Sequence, residues 1–241
     1  MTALPSSVEI VEVGPRDGLQ NEQAIVTTED KAALIARLLD SGARRIEVAS
    51  FVNPRRVPQM ADAEDLVAAL PLRDDVTYIG LVLNERGAER ALATAVNELG
   101  AVCVATDQFA MRNQGQTGEE SLQVAMRVVQ MAQEKGRSAQ ITIAGAFGCP
   151  FEGEVSPDRI VEMAQRAAQV APREVALADT IGVASPRDVG MLVGRVATAI
   201  APIPVRVHFH NTRNTGLANV WAAVAAGART VDASIGGLGG C

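Results

Sequence analysis

What most limits the folds open to this chain is a recurrence. Short apolar runs rich in Val, Ile and Ala return about every 30 residues, at 8–13, 45–50, 77–82, 101–105, 141–146, 174–178, 205–209 and 230–234. A stretch with helical apolar spacing follows each run except the last. Eight strand-helix units are what a closed (β/α)8 TIM barrel requires, so an α/β barrel is the expected fold. An open doubly wound sheet is the competing arrangement. It calls for a glycine-rich phosphate turn after the first strand, and GPRDGLQN at 14–21 is not one. Only 3% of residues are aromatic, so the core must be built from Ala, Val, Ile and Leu, which suits a parallel sheet covered by helices.

Helix punctuation falls where this plan needs it. Thr27 is placed to cap a helix carrying Leu34, Ile35, Leu38 and Leu39, with Gly42 at its end. Thr117 and Glu120 have the spacing of a capping box, and Gly136 stands beyond the helix they open. Ser156-Pro157 and Ser185-Pro186 each put a cap residue before a proline suited to the first helical position. Asn214 or Thr215 opens a seventh helix that ends near Gly227. The eighth strand has no helix after it, because the chain stops at Cys241. The expectation is one catalytic barrel over 1–241 whose last helix is missing, with one flank of the sheet bare and a C-terminal segment omitted. Three connections, 51–60, 107–116 and 147–155, read as long loops, all at the carboxyl ends of the strands, where barrel enzymes build active sites.

Composition narrows the partners. A formal net charge of −6 argues against nucleic acid or an anionic membrane as the main partner, since both need a basic face. The three cysteines, Cys103, Cys149 and Cys241, show no paired spacing for zinc or a disulfide framework, which fits a reducing compartment. The first strand begins too early for a leader, and no apolar run reaches the roughly 18 residues of a membrane span, so a cytoplasmic location is expected.

Polar residues cluster at strand ends. The run VEVGPRDGLQNE at 11–22 is an apolar strand that stops at Gly14-Pro15 and presents Arg16, Asp17 and Gln20. Glu47 lies on the second strand, Asp179 and Thr180 follow the sixth, and the chain's only two histidines, His208 and His210, share one side of the seventh. Closing the barrel brings the seventh strand near the first, so two imidazoles and the Asp17 carboxylate can converge as metal ligands. Two nitrogens and one carboxylate oxygen without a thiolate pair suit Mg or Mn in an octahedral site, and zinc stays open. The competing reading is histidines satisfied by ordinary hydrogen bonds. Arg16, a permanent cation beside the metal, is suited to stabilising an enolate oxygen, or else pairs with Glu47 or Asp179. The stretch GGLGGC at 236–241 makes a mobile loop ending in a thiol that can close over a substrate and transfer a proton; an inert cysteine is the alternative. Cys103 lies within a strand as core, and Cys149 in FGCPFEG reads as structural.

Several stretches closely resemble one known family. VGPRDGLQNE, IEVASFVNPRRVPQM, FGCPFEG, DTIG and VDASIGGLGGC are similar to the 3-hydroxy-3-methylglutaryl-CoA lyase family of the barrel metallolyases, over about 8–241. The resemblance implies a (β/α)8 barrel and metal-dependent retro-Claisen cleavage of a 3-hydroxyacyl-CoA to acetyl-CoA and a keto acid, with a place in leucine degradation. Asp17, His208 and His210 match its metal ligands, Arg16 the residue that stabilises the thioester enolate, and Cys241 the thiol that protonates it. Glu47 matches the glutamate orienting Arg16, Asp179 an aspartate of the site, and Gln20 and Thr180 are expected at the substrate. The acyl-CoA would be the partner of a homodimer, with Arg55, Arg56 and Arg112 placed for CoA phosphates or simply solvated. Three residues depart from the family pattern: Asn211 follows the second histidine, and Ala176 and Ala178 stand in VALADT. These changes leave the metal and enolate machinery intact but alter the acyl pocket, so a relative such as citramalyl-CoA is a candidate substrate. The family also takes an asparagine metal ligand from beyond the Cys241 position, where this sequence has none. Rival readings are a condensing enzyme of the isopropylmalate synthase kind and a non-catalytic CoA-ester binding protein.

Overall fold

The structure, a computed structural model, describes residues 4–239. Its eight strands are β1 (Glu9–Glu12), β2 (Arg45–Ser50), β3 (Thr77–Val82), β4 (Glu98–Val104), β5 (Ser138–Ala144), β6 (Val175–Asp179), β7 (Val205–Phe209) and β8 (Thr230–Ala233). They pair in parallel in sequence order and close on themselves, with Glu9 of β1 in register with Thr230 of β8. This is a TIM barrel, as the recurrence predicts.

Helices α1 (Thr28–Asp40), α2 (Ala63–Ala69), α3 (Glu85–Leu92), α4 (Asp107–Gln114), α5 (Gly118–Glu134), α6 (Pro157–Ala168), α7 (Pro186–Ile200) and α8 (Gly216–Ala225) wrap the barrel. The expected caps are in place. Thr27 accepts from the Asp30 amide, Thr117 and Glu120 form the reciprocal capping box, and Ser156 and Ser185 cap α6 and α7 with proline in the first turn. The main core is the largely aliphatic layer between strands and helices, to which β2 gives Ile46 and Val48 and α1 gives Ile35, Leu38 and Leu39. At about 25 cal/mol per Å² of apolar surface, this layer drives closure.

Two departures from the sequence expectation have physical causes. The 107–116 connection is not a loop but α4, ended by Gly115 in the left-handed conformation at φ 73°. Ala110 is the only residue of α4 classed as buried, so it shows no apolar period to read. Strands β4 and β5 begin earlier than expected, because they open on polar residues that face a charged interior. Glu98 is fully buried, and Gln140 nearly so. Inside the barrel, Arg45 donates to Glu9 at 2.8 Å, to Glu174 at 2.7 Å and to Glu98, while Thr230 donates to the second oxygen of Glu174 at 2.8 Å. Barrel interiors are usually filled by branched aliphatics. Here the lower interior is a hydrogen-bonded ionic lattice.

β8 runs into a short 3₁₀ turn, Ile235–Gly237. On the outer face of neighbouring β1, Ile10 is 50% exposed.

Candidate metal and active site

At the carboxyl end of β1 the chain winds into a single π-helical turn, Gly14–Gly18, with a proline at its start. Such turns often mark functional sites. This one points Arg16 and Asp17 into the barrel mouth. The Arg16 fork is held on two sides: Nη1 donates to Asp17 Oδ1 at 2.8 Å, and Nε donates to Glu47 Oε1. Arg16 therefore pairs with Glu47, not Asp179. Two carboxylates fix its plane, as a rigid guanidinium permits and an ammonium does not. Gln20 follows on the same turn and accepts from the Ser50 hydroxyl at 2.9 Å.

His208 near the end of β7 and His210 just beyond it turn to the same side, and their Nε2 atoms lie 3.2 Å apart. His208 Nε2 is 3.8 Å from Asp17 Oδ2. The three side chains offer ligand atoms all within 4.8 Å of one another. Two ring nitrogens and a carboxylate oxygen converging this closely suit a divalent cation, because each donor can aim a lone pair at a common centre. Burial pushes the Asp17 carboxyl up, but Arg16 and the two imidazoles outweigh it and hold Asp17 below the usual range. His210 is held below the ordinary imidazole value by burial and by His208, so its neutral, ligating form is favoured.

These groups line a cavity of about 660 Å³ together with Gln20, Glu47 and Thr180. Thr180 Oγ1 accepts from the Gly145 amide at 2.9 Å, which fixes its hydroxyl at the rim. Asn53, Arg56 and Arg112 also line it, and Arg55 does not. The Arg112 guanidinium lies 4.3 Å from the centre of the Phe151 ring. Asp179 is placed differently from the other candidates. Its two oxygens accept the amides of Val183 and Ala184, both at 3.0 Å, and it does not line the cavity. It braces the loop after β6, and its charge acts on His210.

Cys241 lies outside the described residues. The loop leading to it packs on the π turn: a Cβ on Gly18 would come 2.7 Å from Leu238 Cβ. Glu12 Oε1 joins the two by accepting the amides of Gly14 at 2.7 Å and Ile235 at 3.1 Å. Cys103 is fully buried in β4, and burial raises its thiol to about 12. The Cys149 sulfur accepts from Thr106 Oγ1 at 3.0 Å and from the amides of Phe151 and Glu152 at 3.4 and 3.3 Å, holding its loop as a structural cysteine.

Sequence reasoning missed two residues of the site, Arg206 and Asp232. Asp232 Oδ2 lies 2.9 Å from His208 Nδ1, and its Oδ1 accepts from Arg206 Nε at 2.5 Å. A signal was present. Arg206, His208 and His210 alternate along one face of VRVHFH, and Asp232 is an acidic residue inside the last apolar strand.

Fold and site together define a class: a (β/α)8 barrel enzyme with a candidate Asp-His-His centre and an arginine at the mouth. The HMGL-like family model matches residues 7–241. The chain belongs to that family of carbon-carbon lyases. It is 41% identical over 245 residues to the (R)-citramalyl-CoA lyase of Chloroflexus aurantiacus, covering 98% of this chain and 77% of that protein. It is 39% identical over 244 residues to the mitochondrial hydroxymethylglutaryl-CoA lyase of Mus musculus, covering all of this chain and 74% of the other. Among solved structures, an HMG-CoA lyase from Acenitobacter baumannii in complex with coenzyme A and 3-methylmalate superposes with a TM-score of 0.93 at 39% identity, covering 100% of this chain and 79% of that one.

Proposed function

We propose that this chain cleaves a 3-hydroxyacyl-CoA, either 3-hydroxy-3-methylglutaryl-CoA or a close relative such as citramalyl-CoA, to acetyl-CoA and a keto acid. The observation that carries the reading is the convergence of Asp17, His208 and His210 within 4.8 Å, in one cavity with Arg16. Asp17, His208 and His210 would hold the cation, Mg or Mn by their donor chemistry, with zinc also compatible. A divalent ion there supplies Lewis-acid polarisation of the substrate oxygens.

The chain's own residues account for the rest. A basic group of the site takes the proton of the substrate hydroxyl, whose oxygen becomes a carbonyl as the C2–C3 bond breaks. The bonding electron pair moves into the thioester as an enolate, and the proton taken up balances the one that the Cys241 thiol later gives to C2. Arg16, locked by Glu47 and Asp17, presents a fixed positive charge to the enolate oxygen and needs no reorganisation as charge develops. The Cys241 thiol delivers a proton to C2 and completes acetyl-CoA. Gln20 and Thr180 orient the acyl group from the wall. Asp179, through Val183 and Ala184, holds the adjoining loop. Arg56 and Arg112 at the rim suit the CoA phosphates. In this reading residues 1–241 act as one catalytic barrel within a homodimer. A cytoplasmic location and a role in leucine degradation are part of this proposal. No helix among the described residues is long and apolar enough to cross a membrane.

The experiment is direct. The protein is incubated with Mg or Mn and each thioester, and free acetoacetate or pyruvate is measured. Acetoacetate from 3-hydroxy-3-methylglutaryl-CoA or pyruvate from citramalyl-CoA is the expected product. Release of neither overturns the lyase, and net condensation of acetyl-CoA with a keto acid would favour the condensing enzyme.

A further inference from the structure

Nothing in the ligand set itself decides which nitrogen of His208 carries the proton. Neutral imidazole has one donor nitrogen and one acceptor nitrogen, and only the acceptor can bind a cation. His208 turns Nδ1 to Asp232 Oδ2 at 2.9 Å and Nε2 toward His210 and Asp17. An ionised carboxylate only accepts, so a hydrogen bond to it requires the proton on Nδ1, and in the neutral ring this leaves the Nε2 lone pair facing the other two ligands.

Asp232 is in turn not free to rotate. Its Oδ1 is taken by Arg206 Nε at 2.5 Å, and Arg206 is 2% exposed. Arg206 Nη1 sits 3.6 Å from Glu174 Oε1, the oxygen that Arg45 also binds at 2.7 Å. A buried line of charge therefore runs from the ionic lattice at the barrel's lower end to the ring of His208. We infer that Arg206 and Asp232 are positioning residues for the metal centre: Arg206 orients the Asp232 carboxylate, and Asp232 fixes His208 as the tautomer whose Nε2 can ligate. This rests on the metal reading above, and partners of this kind commonly govern affinity for the ion.

The geometry makes an asymmetric prediction for Asp232→Asn. An asparagine has one acceptor and one donor where the aspartate has two acceptors. Arg206 Nε donates only, so it claims the amide oxygen and turns the NH₂ toward His208. Nδ1 must then accept, the proton moves to Nε2, and the ligating lone pair is lost. Removing the claim of Arg206 as well, in the Asp232→Asn/Arg206→Met double variant, lets the amide turn over. Its oxygen then accepts from Nδ1, and the original tautomer returns.

Both histidines of the chain are in this site, so ¹⁵N-imidazole spectra of the labelled, metal-free protein report on it without background. Wild type should show His208 protonated on Nδ1 at a pH where both rings are neutral. Asp232→Asn should show it protonated on Nε2 with Mn affinity about 10- to 100-fold weaker by titration calorimetry. The double variant should regain the wild-type signature and recover at least tenfold of that affinity. Unfolding curves accompany each variant, and Arg206→Lys, which keeps a donor to Asp232, should hold the wild-type tautomer if the single amide variant does not fold. An Asp232→Asn protein with unchanged tautomer and unchanged Mn affinity overturns the inference. A wild type with the Nδ1–H signature that binds no Mn would instead sink the metal reading.

Discussion

At the scale of single residues, the arginine beside Asp17 has the most constrained side chain in the site. Its guanidinium fork engages Glu47 and Asp17 at once, and all three line the cavity. Replacing Arg16 with Lys keeps the charge but loses the two-pronged geometry. The expected outcome is a loss of about 10²- to 10³-fold in kcat with Mn affinity little changed, read by steady-state kinetics beside calorimetry. Asp17→Ala should lose both metal and turnover, whereas Cys241→Ala should lose turnover alone. Equal activity in the cysteine variant would remove that thiol from the mechanism. The ligands were legible in the sequence because paired histidines two apart on a strand are rare and share a face. Arg206 and Asp232 were passed over although Arg206 alternates with the histidines, because their role lies in a pairing between two strands that neither strand shows alone.

At the scale of elements, the loop between β2 and α2 is anchored from below. Lys31 of α1, 1% exposed, donates to Asp62 Oδ1 and to the Gln59 carbonyl, both at 2.6 Å. Thr28 donates to the second Asp62 oxygen at 2.7 Å. Burial pushes the Asp62 carboxyl up, but the bond from Lys31 and then that from Thr28 outweigh it, so its folded value lies below its unfolded one. Stability from such a group is present above the unfolded value and is lost as pH falls through the depressed one. Lys31→Met should therefore cost about 1–3 kcal/mol at neutral pH and flatten the acid limb of a Tm-against-pH curve. A variant whose curve parallels wild type down to acid pH would rule out this anchor. Elements with caps, such as α5 and α7, could be read directly from Thr117, Glu120, Ser185 and Pro186. The short α4 could not, since a helix that buries little leaves no period behind.

For the whole molecule, eightfold recurrence made the barrel plain, because an apolar run followed by helical apolar spacing returns seven times before the last strand. What filled the centre stayed hidden. The residues there, Arg45, Glu98, Glu174 and Arg206, look like surface charges in the sequence and reveal themselves only as partners across strands. Buried pairs of this kind add little net stability over apolar packing, yet removing one member leaves an uncompensated charge.

That arrangement has a consequence for how the barrel can be assembled or divided. The acids around Arg45 come from β1, β4 and the residue just before β6, so its electrostatic balance spans both halves of the chain. A fragment ending after α5 would keep Arg45 and Glu98 but forfeit Glu174, and its complement would carry Glu174 and Arg206 without Arg45. Each half keeps some of its pairs, Arg45 with Glu9 and Glu98 in one and Arg206 with Asp232 in the other, but division breaks the Arg45–Glu174 link and opens both buried interiors to water. Expressed apart, the two should stay unfolded by circular dichroism, and mixing them should restore structure cooperatively; a half that folds alone would mean that this chain keeps the autonomy of a half-barrel.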